Sequence, residues 1–353
     1  MVKLLQPRRF DPRKAAWVLV VLAGFYLYTT HRDKPPRLWR WSGETMGSTY
    51  TVQIVDAHLT EKRFATIQAD VESILDDINN EMSTWLTNST LSRFNASTST
   101  EPFTVSASLA SLLRTSLEIS ERSGGAFDVT YGPMFDLWGF GKSGPKHVPS
   151  DTAIAEIQES CGYSNLSVSS SVTIRKAVPG LQVVLNAICP GYAADQIAES
   201  LIRKRFAHIY VDVGGETIAF GNNLHGQPWR VGIERPDFDQ AVGTDIERIV
   251  PLSGHALATS GDYRNYFTNE SGAVFSHIFD TRTGRPATSH VASVSVLAPS
   301  CALADALATT LFVIGPADGI PLLTNWPGTE AYFLMRSPTG GYTEVESGGF
   351  PSP

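Results

Sequence analysis

Cysteine is scarce. Cys161, Cys189 and Cys301 are the three in 353 residues, and none stands at a paired spacing of the metal-binding or redox kind, which excludes a cysteine-built metal centre or a CxxC thiol pair. They read as small buried apolar residues, with one bridge and a spare thiol as the alternative in an oxidising compartment. No GxGxxG opens a helix after a strand, so a Rossmann reading lacks its anchor. No internal repeat is present. Basic charge is missing from most of the chain. Nine of the 28 Lys and Arg (Lys3, Arg8, Arg9, Arg13, Lys14, Arg32, Lys34, Arg37 and Arg40) fall in the first forty residues, against Asp11 and Asp33, which leaves 19 basic and 33 acidic residues, a net charge of −14. Such an acidic body repels phosphate backbones and excludes a broad polyanion-binding role.

With 42% hydrophobic and 18% charged residues, the chain can bury a large core and reads as globular. Its basic leader, residues 1–14, precedes the apolar run AAWVLVVLAGFYLYTT, and polar residues flank both ends. That pattern fits one membrane insertion over residues 15–31, read as uncleaved because neither an Ala-x-Ala site nor a lipoprotein cysteine follows, with a cleaved signal as the alternative. Positive charge ahead of the run keeps the leader cytoplasmic and puts the rest of the chain outside. HRDKPPR begins a short stiff tether, residues 32–40, and the folded body occupies 41–353.

Within the body, Thr60 caps an expected helix whose Phe64, Ile67, Val71, Ile74, Ile78 and Met82 recur at three- and four-residue steps. A second helix starts at Ser106 and ends at Gly124-Gly125; a third spans Gly191 to Phe206. Strand patterns lie at TYTVQIV (49–55), VTIRKAVPGLQVVLN broken at Pro179-Gly180, HIYVDVGG and TIAFG after residue 207, and ASVSVLA near 292. The irregular alternation predicts an α+β fold with mixed sheets and packed helices.

One run carries more chemistry than the others. CALADALATTLFVIG, residues 301–315, is apolar except for Asp305 and its threonines. Asp305 and Thr309 are four apart, so they share a helix face. A carboxylate in such a run needs a cation or a donor beside it, and a carboxylate with a hydroxyl one turn on is an oxygen pair suited to magnesium.

Glycine-rich polar turns complete the pattern: ETMGSTY (44–50), SGGAFDVTYGPMFDLWGFG (123–141), GYAAD (191–195), VDVGGE (211–216), ATSGDYRNYF (258–267) and SHIFDTRTG (276–284). In this order, and with the helix around Asp305, they resemble the ApbE family, the FAD:protein FMN transferases, from residue 44 to about 315. The resemblance implies an enzyme that uses magnesium and FAD, moves the FMN half onto a Ser or Thr hydroxyl of a target protein as a phosphoester, and releases AMP. It implies a metal held by Asp305, Thr309 and the main-chain oxygen of Ala187. Met46, Trp85, Ala126, Phe127, Asp128, Pro190 and Ile278 fall at flavin-nucleotide-binding positions, in a cleft between the halves of the body. His277 is the expected base, because neutral imidazole accepts a hydroxyl proton near neutral pH; Asp262 is a second candidate.

Two departures stand out. Val184 and Pro190 occupy places where the family carries an aspartate and a Lys or Glu, so two polar contacts to FAD are missing, and Asn186 substitutes for at most one of them. The expected partners are FAD and membrane-associated redox flavoproteins with an exposed Ser or Thr, met by a body on the periplasmic side of a bacterial inner membrane. Two alternatives are a magnesium-dependent FAD pyrophosphatase yielding FMN and AMP, and a non-catalytic membrane-anchored flavin-binding protein.

Overall fold

The computed structural model describes residues 16–23, 35–142, 144–238, 241 and 243–352. Its helices in chain order are α1 (16–23), α2 (Glu61–Met82), α3 (Thr90–Ala96), α4 (Ala107–Arg122), α5 (Gly132–Leu137), α6 (Asp151–Gln158), α7 (Cys189–Arg203) and α8 (Cys301–Leu322). The main sheet has eight strands. From edge to edge they are Arg37–Thr45, Ser48–Asp56, Ile209–Val213, Glu216–Phe220, His255–Gly261, Val291–Ala298, Glu330–Arg336 and Tyr342–Glu346. Each neighbouring pair is antiparallel, and a bridge between Tyr131 and Gln182 adds a parallel contact outside the sheet. Helices and sheets mix as an α+β fold.

The sequence pattern explains the layering. Val291–Ala298 is buried at every position, as a strand covered on both faces must be. On one face lies α8, with Ala304, Leu307, Ala308 and Leu311 fully buried in the large core. On the other lies the hairpin of Trp229–Glu234 and Ile246–Leu252, whose Trp229, Ile233, Val250 and Leu252 meet Leu297, Tyr332 and Leu334. By length and composition Cys301–Asn325 is apolar enough to cross a membrane, yet here it is a core helix. Its regular part ends at Gly315, which leaves helical geometry at φ 74° and is followed by Pro316.

The three amphipathic predictions become α2, α4 and α7, with Thr60 and Ser106 as side-chain caps of the first two. The stretch after Gly180 is not a strand. Asn95 grips both the N–H and the carbonyl of Val183 at 2.8 Å, and Val184 donates to Val129 at 2.7 Å. Partnered by one side chain and isolated loop contacts, the segment stays extended without a ladder. All three cysteines are buried and unpaired, which closes the bridge alternative.

The tether is shorter than expected. Residues 37–40 belong to the edge strand Arg37–Thr45, where Trp39 pairs with Ile54 and Trp41 with Val52. Period-two placement turns both indoles inward onto Phe64. Residues 32–34 and the leader 1–14 lie outside the described residues, as does most of the proposed anchor. The part that is described, α1, leaves Trp17, Leu19 and Val21 well exposed.

If Arg37–Thr45 is a working part of the sheet, Trp41→Ala should lower unfolding free energy by about 3 kcal/mol in chemical denaturation. A change under about 0.5 kcal/mol would mean the strand is dispensable.

Candidate active site

The residues predicted to act together come from segments far apart in the chain, and the sheet's turns and α8 bring most of them to one cleft. This cleft has a cavity volume of about 270 Å³ and is walled by Ala126, Phe127, Asp128, Ala187, Glu216, Ser260, Arg264, His277, Ile278, Asp305 and Thr309, among others. Two shallower depressions adjoin it. One is lined by Met46, Met82, Trp85, Cys189 and Pro190; the other by Trp85, Ser92, Asn95, Phe135, Phe140, Gln182 and Val184. Asn186 lines all three. Met46, Trp85 and Pro190 therefore stand next door to the wall that carries Asp305 and Thr309 rather than on it, and Trp85 is 62% exposed.

Asp305 is 5% exposed. Its Oδ2 accepts the Gly191 N–H at 3.1 Å. Burial pushes its pKa up to about 7, the Gly191 hydrogen bond pulls it back, and the charge of Asp195 adds to the rise. One turn along α8, the Thr309 hydroxyl lies 3.1 Å from that of Ser260. Glu216 faces the same space, and burial followed by the charges of Asp305 and Asp212 holds its pKa well above the usual range. Among the described residues, no three His, Cys, Asp or Glu side chains converge as a ready-made metal cluster. An ion here would depend on one carboxylate, one hydroxyl and a main-chain oxygen, with the remaining positions left to water and substrate oxygens. That donor set fits a hard cation that retains much of its hydration.

His277 lines the same cleft. Its Nδ1 is 3.1 Å from the Asn265 carbonyl oxygen, and the His277 N–H donates to the same atom at 3.0 Å. A carbonyl only accepts, so Nδ1 carries the proton and Nε2 keeps its lone pair. Burial lowers the ring's pKa to about 4; the hydrogen bond to Asn265 opposes this shift and the nearby Lys146 ammonium adds to it. Lys146 is itself held by the Asn265 side chain at 2.6 Å.

Asp128 is committed to its own loop. Its Oδ1 accepts the Thr130 N–H at 2.7 Å and the Thr130 hydroxyl at 2.6 Å, and its Oδ2 accepts the Tyr163 N–H at 2.7 Å. It shapes the wall that Ala126 and Phe127 share. Thr281 ties the SHIFDT loop to this wall by donating to the Gly125 carbonyl, and Asp280 is clamped by Arg282 at 2.8 and 3.0 Å. Pro190 occupies the first turn of α7, where a missing N–H costs no helical hydrogen bond.

Asp262 does not line the cleft. It pairs with Arg336, with contacts of 2.5 and 3.4 Å, so it is tied up in an ion pair and is set aside as a base. The structure also adds residues that the sequence reading passed over: Glu216, Ser260 and Arg264. Glu216 closed a motif already singled out, and a carboxylate directly after a Gly-Gly turn was the available signal. Arg264 pairs with Glu234 and stacks over Tyr263 at 4.9 Å, relations that no local pattern reveals.

The ApbE family model matches residues 46–333. This chain belongs to the ApbE family. Among ApbE relatives, it is 38% identical over 304 residues to the FAD:protein FMN transferase of Vibrio cholerae, covering 86% of this chain and 89% of that protein. It is 36% identical over 320 residues to the Haemophilus influenzae protein of the same name, covering 89% and 91%. The solved ApbE flavin transferase of Vibrio cholerae superposes with a TM-score of 0.81 at 35% identity, over 90% of this chain and 99% of that one. The apo flavinyl transferase ApbE of Pseudomonas stutzeri gives 0.79 at 33%, over 89% and 95%.

The His277 ring is expected to remain neutral in NMR titration from pH 8 to 5 and to protonate near about 4. The unfolded ring protonates near 6.5, so the native state loses stability as pH falls from about 6.5 toward 4. A folded-state midpoint near 6.5 would contradict the half-buried, cation-flanked ring.

Proposed function

We propose that this chain is a magnesium-dependent FAD:protein FMN transferase, acting on a Ser or Thr hydroxyl of a target flavoprotein. The observation that carries the reading is the meeting of Asp305, Thr309 and Ala187 with a neutral His277 in one cleft. Similarity to proteins named for that reaction supports it.

In this reading the incoming hydroxyl oxygen attacks the phosphorus of the FMN half, the bond from that phosphorus to the oxygen of the AMP phosphate breaks, and AMP leaves. The hydroxyl proton passes to Nε2 of His277. With its low proton affinity, His277 takes the proton only as attack makes the hydroxyl acidic, and the diphosphate's negative charge strengthens it as a base. Asp305, Thr309 and the Ala187 carbonyl would hold magnesium, which when bound would neutralise charge on the diphosphate. Arg264 also lines the cleft, its charge shared with Glu234. Ala126, Phe127, Asp128 and Ile278 form one wall for the dinucleotide, and Met46, Trp85 and Pro190 another, with Asn186 at the junction. The loss of polar groups at Val184 and Pro190 leaves shape and apolar contact to do more of the binding.

The acceptors fitting this arrangement are membrane-associated redox flavoproteins with the hydroxyl on a short exposed segment. The basic leader and the exposed apolar face of α1 support a single-pass inner-membrane anchor with the body in the periplasm. Protease added to intact spheroplasts should then digest the body, and full protection would oppose that orientation.

The transfer itself is tested by mass spectrometry of an acceptor incubated with the protein, FAD and magnesium. The expected result is an FMN-sized mass gain, lost with chelator and reduced at least about a hundredfold in rate by Asp305→Ala. FMN and AMP formed at full rate without acceptor would identify a hydrolase instead. Bound flavin with no turnover in any arm would identify a binding protein.

A further inference from the structure

Two of the three proposed metal ligands ride on α8, and the third, Ala187, lies two residues before α7. The geometry of any ion between them is set by how these two helices are registered. Asp195 fixes that register from inside the core. Its Oδ1 accepts the N–H of Cys301 at 2.7 Å and its Oδ2 accepts the N–H of Ala302 at 2.9 Å. The first four N–H groups of α8 are thereby all satisfied, since Leu303 bonds the Ser300 hydroxyl at 3.4 Å and Ala304 the Ser300 carbonyl at 3.1 Å. Ser300 is part of the chain leading into α8, whereas Asp195 belongs to a different helix and reaches across.

One turn before Asp195, on the same face of α7, Gly191 makes the second half of the grip. Its N–H holds Asp305, and a Cβ at this position would lie 2.4 Å from the Cys301 carbonyl oxygen. The helices therefore touch backbone to backbone at the turn of α8 that ends in Asp305. Sliding α8 by a fraction of its 5.4 Å pitch would break both attachments and carry Asp305 and Thr309 away from Ala187.

From this we infer that Asp195 is a positioning residue for the metal site: it locks α8 onto α7 so that Asp305 and Thr309 meet the Ala187 carbonyl at one point. The inference rests on the metal reading proposed above. It gives the aspartate of GYAAD a role apart from contact with FAD. A partner that orients metal ligands without touching the ion commonly changes affinity ten- to a hundredfold when removed.

The test measures Mn2+ binding by electron paramagnetic resonance, without FAD, for the full-length protein and for Asp195→Asn, Ser300→Ala and Asp305→Ala. Ser300→Ala removes a cap from the same helix end while leaving the link between helices, so it reports what a purely structural cap does. The expected result is Mn2+ affinity weakened about tenfold or more by Asp195→Asn, near wild type for Ser300→Ala, and abolished by Asp305→Ala. Turnover of Asp195→Asn should recover at high Mg2+. If Asp195→Asn does not fold, Asp195→Glu, which keeps the charge and alters the reach, replaces it with the same expected loss. Unchanged Mn2+ affinity in a folded Asp195 variant with a lowered thermal midpoint would overturn the inference and leave Asp195 as a cap. Wild-type Mn2+ affinity in Asp305→Ala would overturn the metal reading and this inference with it.

Discussion

A carboxylate inside an apolar helix is the constraint around which the site is built. Asp305 is enclosed by residues that offer it little, and one main-chain N–H from Gly191 does not compensate an ionised group for lost water. The protein tolerates it by letting its pKa rise toward neutrality in the unliganded state. A divalent cation would reverse that shift, because its charge lies where the proton would be. Burial that is unfavourable for an empty site thus favours a filled one. The fold supports the arrangement by covering the central strand on both faces and by holding α8 against α7 at a glycine.

The surrounding groups follow the same logic. Glu216 shares the cleft with Asp305, and two buried carboxylates at close quarters resist ionising together. His277 lines the same cleft, kept neutral by desolvation and by Lys146, with its tautomer set by a backbone carbonyl. Acidic and basic functions are separated by environment rather than by residue type. Asn186 stands where the three depressions meet, so a dinucleotide and an incoming polypeptide hydroxyl can share one junction.

Much of this was legible in the sequence because it is local. Helical periodicity placed α2, α4 and α7, and four-residue spacing placed Asp305 under Thr309. What the sequence concealed depends on contacts between distant segments. Asp262, in SGDY, read as a second possible base, but Arg336, on a strand near the other end of the chain, claims it. The segment after Gly180 alternates like a strand, yet its neighbours are the Asn95 side chain and isolated loop atoms. Trp39 and Trp41 were already alternating when the preceding HRDKPPR suggested a tether. Glu216 and Arg264 become site residues through the turn and the loop that carry them, which no spacing rule encodes.

The most direct measurement is an anomalous difference map from a crystal soaked with Mn2+ and FAD. The account expects a peak about 2.1 Å from oxygens of Asp305 and Thr309, with the Ala187 carbonyl and diphosphate oxygens completing the shell. A peak elsewhere, or bound FAD whose diphosphate lies away from Asp305, would contradict it.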